Sequence, residues 1–122
     1  MRVLIVDDDI DYSLSLKEMI EEEGHEVTVT NSPTDALNLE NLTPFDIMIT
    51  DIIMPEMDGL GVIQYVKATH PSTKIIAISG GGYFSASDLL MMAREFGASM
   101  VLSKPFSFST LRVQLNAFSV TE

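Results

Sequence analysis

Four apolar runs in this chain end in residues that could do chemistry together. Arg2-Val3-Leu4-Ile5-Val6 ends in Asp7-Asp8-Asp9, Phe45 to Thr50 ends in Asp51, Lys74 to Ile78 ends in Ser79, and Met100-Val101-Leu102-Ser103 ends in Lys104. Carboxylates about 4 Å apart at an effective dielectric near 20 repel by roughly 4 kcal/mol per pair, so gathering these acids requires partial protonation or a bound cation. Oxygen-only ligands with open water positions suit Mg²⁺. A divalent ion beside a carboxylate, a lysine and a hydroxyl is equipment for phosphoryl transfer, and an aspartate can itself be the nucleophile, giving an aspartyl phosphate. Taken singly, each acid has a plainer use: an Asp just after a strand commonly caps a turn.

The elements that must position these residues alternate. The first run reads as a strand. From Ile10 to Glu23, Tyr12, Leu16, Met19 and Ile20 recur at helical spacing and Gly24 stands where a helix C-cap is expected. Glu26 to Thr30 alternates Val27 and Val29 with polar neighbours, the pattern of a strand near a sheet edge. Ser32 and Pro33 open a second helix as N-cap and first helical residue. The strand ending at Asp51 is apolar on both faces, and Pro55 with Asp58-Gly59 marks the turn after it. Leu60, Ile63 and Val66 predict a third helix that Pro71 bars from continuing. After the strand ending at Ser79 and the run Gly80-Gly81-Gly82, Ser85 is placed to cap a fourth helix, with Leu89, Met92, Ala93 and Phe96 on its inner face up to Gly97. The strand ending at Ser103 and a helix from about Ser107, with Leu111, Leu115 and Phe118 inward, complete the pattern.

Five strands alternating with five helices imply parallel pairing through right-handed crossovers, hence a doubly wound α/β sheet with helices on both faces. In such a sheet all strand carboxyl ends share one edge, which is where ligands bind and where Asp7, Asp8, Asp9, Asp51, Ser79 and Lys104 fall. One domain is expected over residues 1–122, with no output domain, since no linker, repeat or low-complexity segment interrupts the chain.

Composition narrows the rest. Eighteen acids against seven bases give a net charge of -11, so the chain lacks the basic footprint for nucleic acid or an anionic membrane surface. The absence of cysteine excludes disulfides and thiol chemistry, and the two histidines, His25 and His70, are too few for a multi-histidine metal site. Met1 to Val6 is too short for a signal-peptide core and nothing reaches transmembrane length, which predicts a cytoplasmic protein.

Val3 to Asp9, Asp51-Ile52-Ile53-Met54-Pro55-Glu56-Met57-Asp58-Gly59, Ile78-Ser79 and Lys104-Pro105-Phe106 together resemble the receiver domain of two-component response regulators, in order and across essentially the whole chain. The resemblance implies a flavodoxin-like (βα)5 fold with strand order 2-1-3-4-5. It implies that Asp51 is the phosphoacceptor and that Asp7 and Asp8 hold Mg²⁺, Asp8 more directly, with Asp51 and the carbonyl of Ile53 contributing. Asp9 is left as a helix-starting acid. Lys104 matches the lysine that pairs with the phosphoryl group, in a Lys-Pro bond that is usually cis in this family, and Ser79 matches the hydroxyl that bonds a phosphoryl oxygen. The partners implied are a histidine kinase or a histidine phosphotransfer protein as donor and a downstream protein as target.

The chain departs from the family pattern at two places. Val101 occupies the usual position of the switch aromatic, and Gly81, Gly82, Tyr83 and Phe84 lengthen the loop after Ser79, so Tyr83 or Phe84 is either a substitute moving ring or an ordinary loop aromatic. Two rival functions stand beside signalling. A Mg²⁺-dependent phosphohydrolase would also use an aspartyl phosphate, but here Ile53 stands two residues after Asp51 where such an enzyme needs a second acid, and no cap is inserted. An interaction module independent of phosphorylation is disfavoured by the intact set Asp7, Asp8, Asp51, Ser79 and Lys104.

Overall fold

The computed structural model describes residues 1–52, 59–79, 86–104 and 106–120. Its elements alternate as β1 (Arg2–Val6), α1 (Ile10–Glu22), β2 (Glu26–Thr30), α2 (Pro33–Leu42), β3 (Ile47–Asp51), α3 (Gly59–Thr69), β4 (Lys74–Ser79), α4 (Ala86–Phe96), β5 (Met100–Ser103) and α5 (Phe108–Val120). All pairings are parallel and the order is β2-β1-β3-β4-β5, as the alternation and the resemblance predict. The Val27/Val29 strand, β2, lies at an edge.

The period-two geometry of the strands divides the core into two layers. Val3 and Ile5 of β1, Ile47 and Ile49 of β3, Ile76 and Ile78 of β4 and Leu102 of β5 pack with Leu16 and Ile20 of α1 and Leu111, Leu115 and Phe118 of α5. The intervening Leu4, Val6, Met48, Ile75 and Ala77 pack with residues of α2, α3 and α4 on the other face, among them Ala36, Ile63, Val66 and Ala93. Strands with an apolar layer on each side are near-continuous apolar runs, and every residue of β3 is buried, including Thr50 and Asp51 at its carboxyl end.

Local signals set the helix ends. Asp9 caps α1, its carboxylate accepting from the Tyr12 amide, and Ser32 caps α2 by accepting from the Asp35 amide, with Pro33 inside the first turn. Gly24 ends α1 in the left-handed region at φ 92°, where a Cβ would be strained. Two sequence expectations need correction. Met19 of α1 and Met92 and Phe96 of α4 are partly exposed, so each buried stripe is narrower than the apolar spacing suggests. On α4, among residues whose side chains are described, only the small Ala93 is completely buried.

The sheet edge opposite the candidate site carries a buried acid. Glu40, one turn after Ala36 on the inner stripe of α2, is fully buried, and its Oε2 accepts from the Phe45 amide and the Thr73 hydroxyl, each at 3.3 Å. Its Oε1 has no partner among the described residues, and burial pushes the carboxyl pKa upward against those two hydrogen bonds and the charges of His70 and Arg2.

Candidate functional site

Register brings the acids together. Val6 lies opposite Thr50 and Asp51 opposite Ile78, so Asp7, one step beyond β1, comes to lie beside Asp51. The ladder continues past the strands to pin each site backbone: the Asp7 amide donates to the Thr30 carbonyl at 3.2 Å, Ile52 to Ile78 at 3.0 Å and Lys104 to Ser79 at 2.8 Å. Side-chain parity then sorts the groups. Asp7, Asp51 and Lys104 each follow by two residues a member of the layer facing α1 and α5, Ile5, Ile49 and Leu102, whereas Ser79 follows Ala77 on the opposite side.

Asp7, Asp8 and Asp51 offer carboxylate oxygens that all lie within 4.8 Å of one another. Asp7 is 3% and Asp51 9% exposed, while Asp8 opens to solvent. The Lys104 ammonium stands between the two buried acids, 3.2 Å from Asp7 Oδ2 and 3.7 Å from Asp51 Oδ2. It supplies part of the positive charge that the crowded carboxylates require, a contribution from Lys104 that counting the acids alone does not reveal. Asp7 has a further task, since its Oδ1 accepts from the Asp9 amide at 3.0 Å. Asp9 is the α1 cap and does not join the cluster.

This is a set of hard oxygen ligands, one of them facing water, with a lysine at its side. Residues 3–116 match the response regulator receiver domain family. The chain belongs to that family. Among its relatives, the transcriptional regulatory protein ZraR of Escherichia coli K12 is 30% identical over 113 residues, 93% of this chain and 25% of that protein. The response regulator receiver protein Anae109_2439 of Anaeromyxobacter is 35% identical over 104 residues, 85% of this chain and 42% of that protein. The chain thus spans a quarter to less than half of the length of these two relatives. In three dimensions it is similar to the receiver domain of NtrX from Brucella abortus, with a TM-score of 0.88 at 26% identity, covering 98% of this chain and 99% of that one. The beryllofluoride-activated NtrC4 receiver domain dimer gives 0.85 at 30% identity, covering 96% and 94%.

In this receiver domain the remaining predicted site residues fall into three groups. Ser79 is brought to the rim: it is 1% exposed and, among the described residues, its Oγ has no hydrogen-bond partner, a buried hydroxyl left ready for an acceptor. Val101 is half-buried against the α3/α4 layer and lines a shallow groove of about 270 Å³ with Ser87, Met91 and Arg94, so the usual aromatic position holds no ring. Ile53, the Gly80 to Phe84 loop, the Ser85 cap and Pro105 with its expected cis bond lie outside the described residues.

One neighbour of the site escaped the sequence reading. Tyr12, taken from its spacing as a core residue of α1, lies over the rim with the Lys104 ammonium 4.3 Å from its ring centroid and the Phe106 ring edge-on at 6.5 Å and 84°. Its phenol pKa is pushed up to about 12, first by burial and then by the charges of Asp7, Asp51 and Asp9, so the ring stays neutral. Tyr12 does pack against the core layer facing α1 and α5, as its spacing predicts, and the signal for its second contact was position: three residues after the cap Asp9, it lies in the first turn, at the rim end of the helix.

Proposed function

We propose that this receiver domain accepts a phosphoryl group on Asp51 from a histidine kinase or a histidine phosphotransfer protein, and that the modification alters its binding to a downstream protein. The observation that carries the reading is the Lys104 ammonium held between Asp7 and Asp51, beside an exposed Asp8, where the three carboxylates converge. Asp7 and Asp8, with Asp51, form an oxygen donor set that fits Mg²⁺, and the described residues at this rim offer no competing soft ligand. When bound, Mg²⁺ supplies neutralisation of charge on the phosphoryl oxygens.

The chain's own residues account for the other needs. An Asp51 carboxylate oxygen attacks the phosphorus of the phosphohistidine, the P–N bond breaks, and the imidazole leaves with the electron pair. Lys104, already within 3.7 Å of Asp51 Oδ2, is placed to pair with an incoming phosphoryl oxygen. Ser79 offers as a donor a buried hydroxyl with no partner among the described residues, and its backbone is joined to that of Lys104. Burial of Asp7 and Asp51 limits water at the reacting oxygens and strengthens each of these attractions.

The test is intact mass after incubation with Mg²⁺ and acetyl phosphate as a small donor. The expected result is a gain of one phosphoryl group, removed by hydroxylamine and absent from Asp51→Asn. Labelling that persists in Asp51→Asn, or that is equal in EDTA, would refute the assignment.

A further inference from the structure

The two acids that hold Lys104 are, under the proposed function, the groups whose charge environment changes during the reaction. Asp51 becomes an acyl phosphate and Asp7 acquires a cation as neighbour, so the ion pairs at 3.2 and 3.7 Å are both altered in the course of a turnover. The lysine side chain is flexible, and 23% of it remains exposed. Among the described residues, the ring of Tyr12 is a contact of the ammonium that carries no net charge, and its attraction through the ring quadrupole does not depend on the state of either acid.

The ring is itself held. The Tyr12 amide is fixed by the Asp9 cap at 3.1 Å, and the edge of Phe106, two residues beyond Lys104 and two before α5, closes on the ring. The first turn of α1 and the segment following β5 thus grip one another across the ammonium.

We propose that Tyr12 is a positioning residue for phosphoryl transfer, its ring face keeping the Lys104 ammonium over Asp51 as the charges around it change. This rests on the function proposed above. The group needed is the π face, not the hydroxyl, so phenylalanine should serve and an aliphatic side chain of similar reach should not.

The experiment compares the wild-type chain, Tyr12→Phe and Tyr12→Leu. In the Mg²⁺-free protein, NMR of the Lys104 side chain should show methylene protons next to the ammonium shifted upfield by the ring in wild type and Tyr12→Phe, and at ordinary positions in Tyr12→Leu. With Mg²⁺ and acetyl phosphate, the phosphorylation rate should be near wild type in Tyr12→Phe and roughly 2- to 30-fold slower in Tyr12→Leu, the range a cation–π contact spans from exposed to desolvated settings. Mg²⁺ affinity should be equal in all three, since Tyr12 is not a ligand. A Tyr12→Leu protein that phosphorylates at the wild-type rate, or a Tyr12→Phe protein as slow as Tyr12→Leu, overturns the proposal. If wild type gains no phosphoryl group while the Lys104 shifts still follow the ring, the clamp exists and the function assigned to Asp51 is what fails.

Discussion

The backbone amide of Lys104 donates to the carbonyl of Ser79 at 2.8 Å, so a buried hydroxyl and the ammonium between the acids are suspended from one shared hydrogen bond at the ends of β4 and β5. A phosphoryl group on Asp51 that drew on both side chains would pull on both strand ends at once, a direct mechanical link between the site and the α4 and β5 surface that contains Val101.

Ser79→Ala should separate stability from signalling. A buried hydroxyl without a partner costs about 1–3 kcal/mol of desolvation, offset in part by the small void its loss leaves. Denaturant unfolding should show a gain of up to about 1 kcal/mol for the variant. Phosphorylation should persist, because the hydroxyl receives the group without forming the bond, while amide NMR shifts induced by beryllofluoride with Mg²⁺ should shrink around Val101.

Mg²⁺ should raise the melting temperature, because a cation relieves repulsion among Asp7, Asp8 and Asp51. Lys104 already counters the two buried acids, which leaves Asp8 as the acid whose removal disturbs least. Asp8→Ala should therefore melt higher than wild type in EDTA and respond less to Mg²⁺. A metal-free Asp8→Ala protein that melts lower, together with no Mg²⁺ response in wild type, would show that the acids do not repel as their spacing requires.

Gly59→Ala tests how the site is held from behind. The Gly59 amide donates to the Ile52 carbonyl, and a Cβ on residue 59 would overlap the Asp51 carbonyl oxygen and the Ile52 backbone. Overpacking against main chain that cannot rotate away costs about 1–3 kcal/mol. The variant should lose that much in denaturant unfolding and should also phosphorylate more slowly, since the displaced backbone is that of the proposed phosphoacceptor.

Glu40 makes stability depend on pH in a direction opposite to that of most carboxylates. Its folded-state pKa lies above the ordinary 4.5, so between those values the folded protein binds more protons than the unfolded chain, and stability falls as pH rises through that interval. The geometry agrees: Oε1 is buried and has no partner among the described residues, so a proton there neutralises the group while Oε2 keeps the bonds it accepts from the Phe45 amide and the Thr73 hydroxyl. Glu40→Gln, an amide copy of the protonated form, should be more stable than wild type near pH 8, with the gap closing as pH falls toward about 4.5. His25, whose pKa is lowered by burial and by the nearby α-amino group, contributes stability that is lost at low pH, and it cancels in this comparison.

Local pattern and chain connectivity were enough for the architecture. Apolar periodicity distinguishes strand from helix, Asp9, Ser32 and Gly24 mark helix ends with their own hydrogen-bonding or backbone properties, and right-handed crossovers leave one edge for Asp7, Asp51, Ser79 and Lys104. Those are short-range facts about composition and order. Tertiary structure alone decided which neighbours a side chain meets from distant parts of the chain. Tyr12 and Met19 share an apolar pattern, yet one stacks on Lys104 at the rim and the other faces water, because the position of a turn along the helix axis matters as much as its angle around it. Glu40 stands one turn from the buried Ala36, a placement detectable in sequence, but the Phe45 amide and the Thr73 hydroxyl that make its burial tolerable come from two separate loops. Periodicity reports direction about one helix axis, whereas burial and charge depend on what the rest of the fold brings to that spot.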